Sequence, residues 1–260
     1  VKLSIGHFLF FQVYFCFMKK SFLSMFLSLA VLLGWSQERT LTAGFQFKPM
    51  LPAGFFNASQ QESIVNDTTF SINQRFGYSA GGVVRYGFTD RFAFESGISF
   101  IQRNFTLEAN DIDGDISQAL EYRIIGYEIP LRGLFYVRLS RDIYMNVAFG
   151  GTIDMFPSDV ATTDEVIQHE TVRQSWLNAA LEANLGFEYR TADNGTFYLG
   201  GSFHRPFSPI YLSKIGQFQS RVTDTAIDIL GSYLTIDLRY FFHEDPKPRK
   251  PKSRKSNRNQ

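Results

Sequence analysis

The sequence predicts an all-β protein: a closed, antiparallel, up-and-down transmembrane β-barrel of eight strands. Three features support this prediction: long segments in which apolar and polar residues alternate, connections that alternate between short and long, and an N-terminal stretch with the parts of a secretory signal. Strands of about ten residues with one apolar face are typical of barrels surrounded by lipid.

The clearest alternating segment covers residues 75–103 and predicts a β-hairpin. Tyr78 and Val84 lie on its apolar face, whereas Arg85 lies on the opposite face with small residues. After a turn at Thr89 and Asp90 the alternation continues in the same phase. A period of two on both sides of a tight turn is the pattern of paired antiparallel strands.

Six further segments complete the predicted eight strands. They are residues 41–51, 121–138, 143–155, 176–190, a segment that begins at Thr196 and loses its alternation at Pro206, and 227–242. In the 121–138 segment the alternation changes phase near Ile124 and Ile125, which predicts a β-bulge. An even number of strands returns both ends of the barrel to the same side of the membrane.

The connections between these segments differ in length in a regular way. Short turns lie at residues 89–90, 140–142 and 191–195, and the last contains Asn194-Gly195, a strong hairpin signal. Long connections are expected at residues 52–74, 107–120, 156–175 and 208–226. Short turns at one end and long loops at the other are typical of outer-membrane barrels.

The first 36 residues are interpreted as a signal peptide with an over-called N-terminal extension. Met18 is the expected true start, because Lys19 and Lys20 precede an apolar run over residues 22–33, and cleavage is expected near Ser36. The alternative is a membrane anchor over residues 3–33, which the two lysines divide into pieces shorter than a transmembrane helix requires.

Residues 37–243 are the predicted barrel, and residues 244–260 form a basic, disordered tail. The barrel region contains more acidic than basic residues, whereas the tail is rich in Lys, Arg, Pro and Ser. This distribution argues against nucleic-acid binding by the body of the protein. The tail could contact anionic peptidoglycan, lipid headgroups or an acidic partner, or it could be a solubilising extension.

The polar faces of the predicted strands carry charges of both signs, which could line a conduction path or form a paired network that plugs the interior. The plug is favoured, because the interior of an eight-stranded barrel is just wide enough for side chains to fill. The inward charges are Arg85, Glu95, Arg103, Glu128, Arg132, Asp154, Glu182, Glu188, Asp237 and Arg239. A soluble two-sheet sandwich is the alternative fold.

No catalytic, cofactor-binding or metal-binding residue is predicted, and no cofactor or enzymatic activity is expected. The single cysteine, Cys16, lies in the segment expected to be removed. The acidic segment 111–115 does not match a calcium loop, because its glycine falls at the fourth position instead of the sixth. Ser202 and His204 share a face of the seventh strand, which is a weak hydrolase signal. The other histidines, His7, His169 and His243, have no ligand spacing.

Two short segments resemble the small porin-like outer-membrane β-barrel family of Gram-negative bacteria. Residues 127–136 look like that family's fourth strand, and residues 88–92 look like its turn between the second and third strands. The resemblance covers about residues 40–242, and the basic tail beyond Phe242 departs from it.

The alternation of short and long connections and the even number of strands predict a cell outer membrane location, with the long loops extracellular and both termini periplasmic. The expected partners are outer-membrane lipid and lipopolysaccharide, with peptidoglycan or a periplasmic protein at the tail. The expected function is a non-enzymatic structural, adhesive or envelope-interaction role. A small-solute porin or channel, and a barrel component of a secretion or envelope-assembly machine, are the alternatives.

Overall fold

The computed structural model describes residues 40–52, 60–65, 68–111, 117–163, 167–217 and 223–243. The predicted signal peptide or anchor, the basic tail and most of the acidic segment 111–115 lie outside these ranges. Within them, no helix is long and apolar enough to cross a membrane. The strands are β1 Thr40–Leu51, β2 Gln60–Val65, β3 Thr68–Gln74, β4 Gly77–Gly87, β5 Phe92–Asp111, β6 Ser117–Arg138, β7 Ile143–Met155, β8 Val160–Thr163, β9 Ile167–Arg173, β10 Leu177–Arg190, β11 Thr196–Pro206, β12 Tyr211–Gln217, β13 Thr223–Ile229 and β14 Tyr233–Phe241.

Eight of these strands close into an antiparallel barrel. The order around the ring is β1, β4, β5, β6, β7, β10, β11 and β14, and β14 pairs with β1 to complete it. Each ring strand therefore has a hydrogen-bonded neighbour on both sides, as a sheet surrounded by lipid requires. The predicted eight-stranded up-and-down barrel is confirmed.

The outer surface of the ring is apolar and carries two rows of aromatic rings. One row links Phe47, Tyr78, Phe100 and Tyr127, with centroids 6.2, 6.0 and 6.1 Å apart. A second row lies towards the short turns and links Phe45, Phe242, Tyr240 and Phe197, at 5.4, 5.6 and 5.1 Å. Aromatic girdles at both edges of an apolar band are typical of transmembrane barrels.

The predicted short turns are present. Thr89 Oγ1 accepts a hydrogen bond from the backbone N–H of Phe92 at 3.0 Å, which closes the turn between β4 and β5. Gly195 has a φ of 84°, a conformation that glycine adopts without steric cost, in the turn between β10 and β11. Both turns therefore form where their residue types predicted them.

The long connections, by contrast, are mostly strand instead of loop. The β2–β3 hairpin pairs through β3 with residues 105–111 of β5. Strands β5 and β6 continue beside it as one long antiparallel pair. A second sheet has the order β13-β12-β9-β8. We call this part of the molecule the extension: β2, β3, β8, β9, β12 and β13 with residues 104–111 of β5 and 117–125 of β6.

The two sheets of the extension enclose an apolar core and meet at their edges. Ser63 Oγ of β2 lies 2.7 Å from Thr225 Oγ1 of β13, and β8 packs beside β6. The buried core residues are Phe70, Ile72, Phe105, Leu107, Ala109, Tyr122, Ile124, Phe156, Ile210, Tyr211, Ile215, Ile227 and Ile229. Burial of this size stabilises a folded unit, because each large apolar side chain contributes about 1.5–3 kcal/mol.

The two faces of β6 exchange polarity at Gly126. On the side of Gly126 towards the short turns, which we call below, the buried inward face carries Glu128 and the outward face carries Tyr127. Above it, Tyr122 is buried, whereas Arg123 is exposed. The outer surface therefore becomes polar at the level where the interior becomes apolar, which indicates that β6 leaves the membrane at this level.

This exchange corrects the β-bulge predicted near Ile124 and Ile125. The register between β5 and β6 is the same on both sides of Gly126, so no extra residue is inserted there. The sequence alternation changes phase because the chemistry of the two faces changes, not because the strand is interrupted.

The predicted eighth strand, residues 227–242, is also corrected. It spans the last residues of β13, which belongs to the second sheet, and all of β14, which belongs to the ring. Gly231 separates them with a φ of 72°. A Cβ atom at this position would lie 2.6 Å from Arg103 Nη1 and 2.4 Å from Ile210 Cδ1, so a side chain there would meet the neighbouring packing.

Candidate functional site

All eight strands of the ring send polar side chains into the barrel, and these form an ionic network. The ten charges predicted to point inward are all buried, and none of them is more than 8 % exposed. Two further buried residues, Lys48 and His204, lie beside these ten. We call these twelve residues the ionic interior. Buried charges are stable only when they are paired and hydrogen-bonded, so their partners decide what the interior can do.

Glu95 is the most heavily paired carboxylate of the ionic interior. Its Oε1 accepts hydrogen bonds from Arg132 Nη2 at 2.6 Å and Arg239 Nη1 at 2.8 Å. Its Oε2 accepts two more from Arg85, Nε at 3.1 Å and Nη2 at 2.9 Å. One carboxylate on β5 therefore joins arginines from β4, β6 and β14.

Two other glutamates extend the network to β10. Glu182 Oε1 accepts hydrogen bonds from Arg132 Nη1 at 2.7 Å and Lys48 Nζ at 3.1 Å. Glu188 Oε1 lies 2.8 Å from Arg85 Nη1 and accepts a hydrogen bond from Asn146 Nδ2 at 2.7 Å. These bridges tie opposite walls of the barrel together.

Asp237 forms a further centre with neutral donors. Its Oδ2 accepts hydrogen bonds from Ser202 Oγ at 2.6 Å and Asn184 Nδ2 at 3.0 Å, and it pairs with Arg239. The candidate pair of Ser202 and His204 is therefore not joined by a hydrogen bond, because Ser202 donates to Asp237 instead. That sequence signal does not lead to a Ser–His dyad.

Glu128, Asp154 and His204 come together from three strands at the end of the ionic interior that is nearest the extension. We call this end the upper end. Glu128 and Asp154 are directly opposite each other on β6 and β7. His204 Nε2 lies 3.0 Å from Asp154 Oδ2, and Tyr233 donates a hydrogen bond to Glu128 Oε2 at 2.5 Å. This cluster was not predicted from the sequence, since its members are far apart in the chain.

A second buried histidine, His169, lies in the extension, outside the membrane-spanning part. Its Nε2 lies 2.8 Å from Ser213 Oγ and 2.9 Å from Thr171 Oγ1, and its ring packs 4.5 Å from that of Tyr122. Burial lowers the pKa of His169 to about 4, so the imidazole is neutral at neutral pH.

A closed ring with an apolar outer face, two aromatic rows and an ionic interior defines a transmembrane β-barrel. The chain belongs to the family described as outer membrane protein beta-barrel domain, whose model matches residues 35–212. The predicted family resemblance and the outer-membrane location are thereby confirmed.

The solved structures that are similar to this chain include two outer membrane proteins. The outer membrane protein OprG from Pseudomonas aeruginosa has a TM-score of 0.49 at 13 % identity, covering 82 % of this chain and 99 % of OprG. The outer membrane protease OmpT from Escherichia coli has a TM-score of 0.30 at 9 % identity, covering 78 % of this chain and 95 % of OmpT. No curated protein matches the chain.

The expectation of a protein without enzymatic activity is contradicted by these comparisons. OmpT, one of the similar structures, is an outer membrane protease. At this level of similarity no activity or residue role is transferred from OmpT to this chain.

Proposed function

We propose that this outer-membrane barrel presents its extension at the cell surface, in a structural, adhesive or envelope-interaction role. The observation that carries the proposal is the extension itself, because its connections form two sheets around a shared apolar core. A folded unit of this kind offers a fixed surface to a partner, whereas mobile loops would have to become ordered on binding.

The ionic interior supports a role other than conduction. Glu95, Arg132 and Glu182 are joined by short hydrogen bonds across the barrel and are almost fully buried. An ion could pass only if these contacts opened, and each opened contact would leave a buried charge without its partner. We therefore favour a closed barrel over the small-solute channel.

The proposed orientation places the extension outside the cell and the short turns in the periplasm. Thr40 pairs with Gly87 beside the first short turn, and the N–H of Phe242 donates to the carbonyl of Ala43. Both ends of the ring therefore lie at the short-turn end. The proposed partners are outer-membrane lipid and lipopolysaccharide around the apolar band, and peptidoglycan or a periplasmic protein at the basic tail.

Cysteine labelling tests this orientation. Ala119 is exposed on the extension, and Asp193 is exposed in a short turn. A membrane-impermeant maleimide should label Ala119→Cys on intact cells, but should label Asp193→Cys only after the outer membrane is opened. The opposite pattern would reverse the proposed orientation and remove the surface role.

Conductance tests the closed interior. Purified protein inserted into planar lipid bilayers should give no single-channel current steps. Steady, protein-dependent steps would favour the small-solute channel instead.

A further inference from the structure

We propose that the upper end of the ionic interior is a binding site for a divalent cation, with Glu128 and His204 as ligands and Asp154 as the residue that orients His204. Each of the three residues offers one atom within 4.8 Å of the others. One imidazole with one carboxylate suits Zn²⁺ or another first-row divalent ion.

The hydrogen bond to Asp154 determines which nitrogen of His204 is free. Because a carboxylate only accepts, the 3.0 Å contact with Asp154 Oδ2 places the proton on Nε2. In the neutral imidazole the lone pair is then on Nδ1, and this atom is buried and has no hydrogen-bond partner among the described residues. Metal-bound histidines in proteins commonly use this arrangement, with one nitrogen on the metal and the other N–H on a carboxylate.

The free nitrogen faces a suitable second ligand. Nδ1 of His204 lies 3.9 Å from Glu128 Oε2. Two ligands about 2.1 Å from one zinc ion are about 3.4 Å apart at the tetrahedral angle, so a small side-chain movement would complete the contact.

The electrostatics of this end also favour an added cation. Glu128 and Asp154 are directly opposite on adjacent strands, where like charges destabilise the pair. Arg103 Nη2 lies 3.3 Å from Asp154, but Lys48 lies 3.9 Å from Glu128 and is closer to Glu182, at 3.1 Å. Glu128 is therefore the less well compensated of the two carboxylates.

The aromatic surroundings hold the ligands in place. Tyr233 donates to Glu128 and its ring stacks on His204, with centroids 4.5 Å apart and an interplanar angle of 11°. The cluster lies between the apolar core of the extension and the rest of the ionic interior. We expect the cation to enter as the barrel closes and then to link β6 to β11 across the interior.

Metal content measured on folded protein tests the site. The protein is folded in detergent micelles with Zn²⁺, dialysed against a chelator and analysed by mass spectrometry for zinc. About one zinc per heat-modifiable barrel is expected. With Co²⁺ in place of zinc, a visible absorption spectrum should report nitrogen and oxygen ligation. Folded wild-type protein that retains no metal would overturn the proposal.

Matched variants separate this site from adventitious binding. His204→Gln and Glu128→Gln should each abolish zinc retention, and Asp154→Asn should weaken it by about 10–100-fold. His169→Gln is the control, because His169 is equally buried but contacts Ser213 and Thr171 instead of a carboxylate. Equal retention by wild type and His204→Gln would mean adventitious zinc only. If either His204→Gln or Glu128→Gln does not fold, the zinc content of the wild type and of the other ligand variant decides whether the site exists.

Discussion

Arg132 Nη2 lies 2.6 Å from Glu95 Oε1, and both side chains are fully buried in the barrel. The same guanidinium also reaches Glu182 Oε1 at 2.7 Å, while Glu95 accepts from Arg85 and Arg239. This pair therefore connects charges from five strands of the ring. The interior behaves as one bonded unit, and removing any member leaves its buried partners with one interaction fewer.

Replacing Arg132 by Met should destabilise the barrel strongly. The substitution keeps most of the volume but leaves Glu95 and Glu182 with one cation fewer, and breaking a buried ion pair costs about 3–5 kcal/mol. Reversible denaturant unfolding in lipid vesicles measures the difference. The control is Arg141→Met in an exposed turn, where little change is expected. Equal free energies of unfolding for the two variants would contradict the account of the network.

The two faces of β10 should respond differently to a new charge. Leu181 points outward and is 40 % exposed, whereas Asn178 points inward and is 8 % exposed. Leu181→Arg should cost about 2–4 kcal/mol if the position lies near the bilayer midplane. The effect of Asn178→Arg should depend on space and pairing, because Asn178 is hydrogen-bonded to Ser208. Equal costs at several matched positions of both faces would count against the orientation of the strands.

The extension should lose stability as the pH falls from about 6.5 towards 4. Burial lowers the pKa of His169 to about 4 in the folded state, whereas an unfolded histidine has a pKa of about 6.5. Between these values the unfolded state binds more protons, so stability is complete above pH 6.5 and declines below it. Amide exchange of β9 and β12 as a function of pH measures this.

The matched variant for the pH experiment is His169→Gln, which cannot titrate. Its extension should show a weaker dependence on pH in the same range, even if its absolute stability is lower. An unchanged pH profile in this variant would assign the effect to another group.

The barrel could be predicted from the sequence because lipid imposes a strict alternation on each ring strand. On β10, for example, Leu181 and Leu185 point outward while Glu182 and Asn184 point inward, and the alternation is visible in the sequence. The ten inward charges followed from the same pattern.

The β9–β12 part of the extension was missed because these two strands do not alternate between apolar and polar residues. The inward positions of β9 and β12 include His169, Thr171 and Ser213, which satisfy one another by hydrogen bonds. Such strands resemble polar loops in the sequence. The apparent bulge at Ile124 has the same origin, because apolar residues turn inward where the strand leaves the lipid.

The cluster of Glu128, Asp154 and His204 could not be predicted from sequence spacing. Its members lie on β6, β7 and β11, and the closure of the ring brings them together across the interior. Spacing rules detect ligands within one helix or loop, whereas here the barrel itself supplies the proximity.

Hydrogen exchange of the protein folded in detergent micelles tests the central claim most directly, namely that one closed barrel continues into a folded extension. Slow exchange is predicted for residues 126–138 of β6 in the barrel and also for residues 117–125 of β6, for β9 and for β12, since all are hydrogen-bonded strands. Rapid, loop-like exchange of 167–173 and 211–217 beside a protected barrel would contradict it.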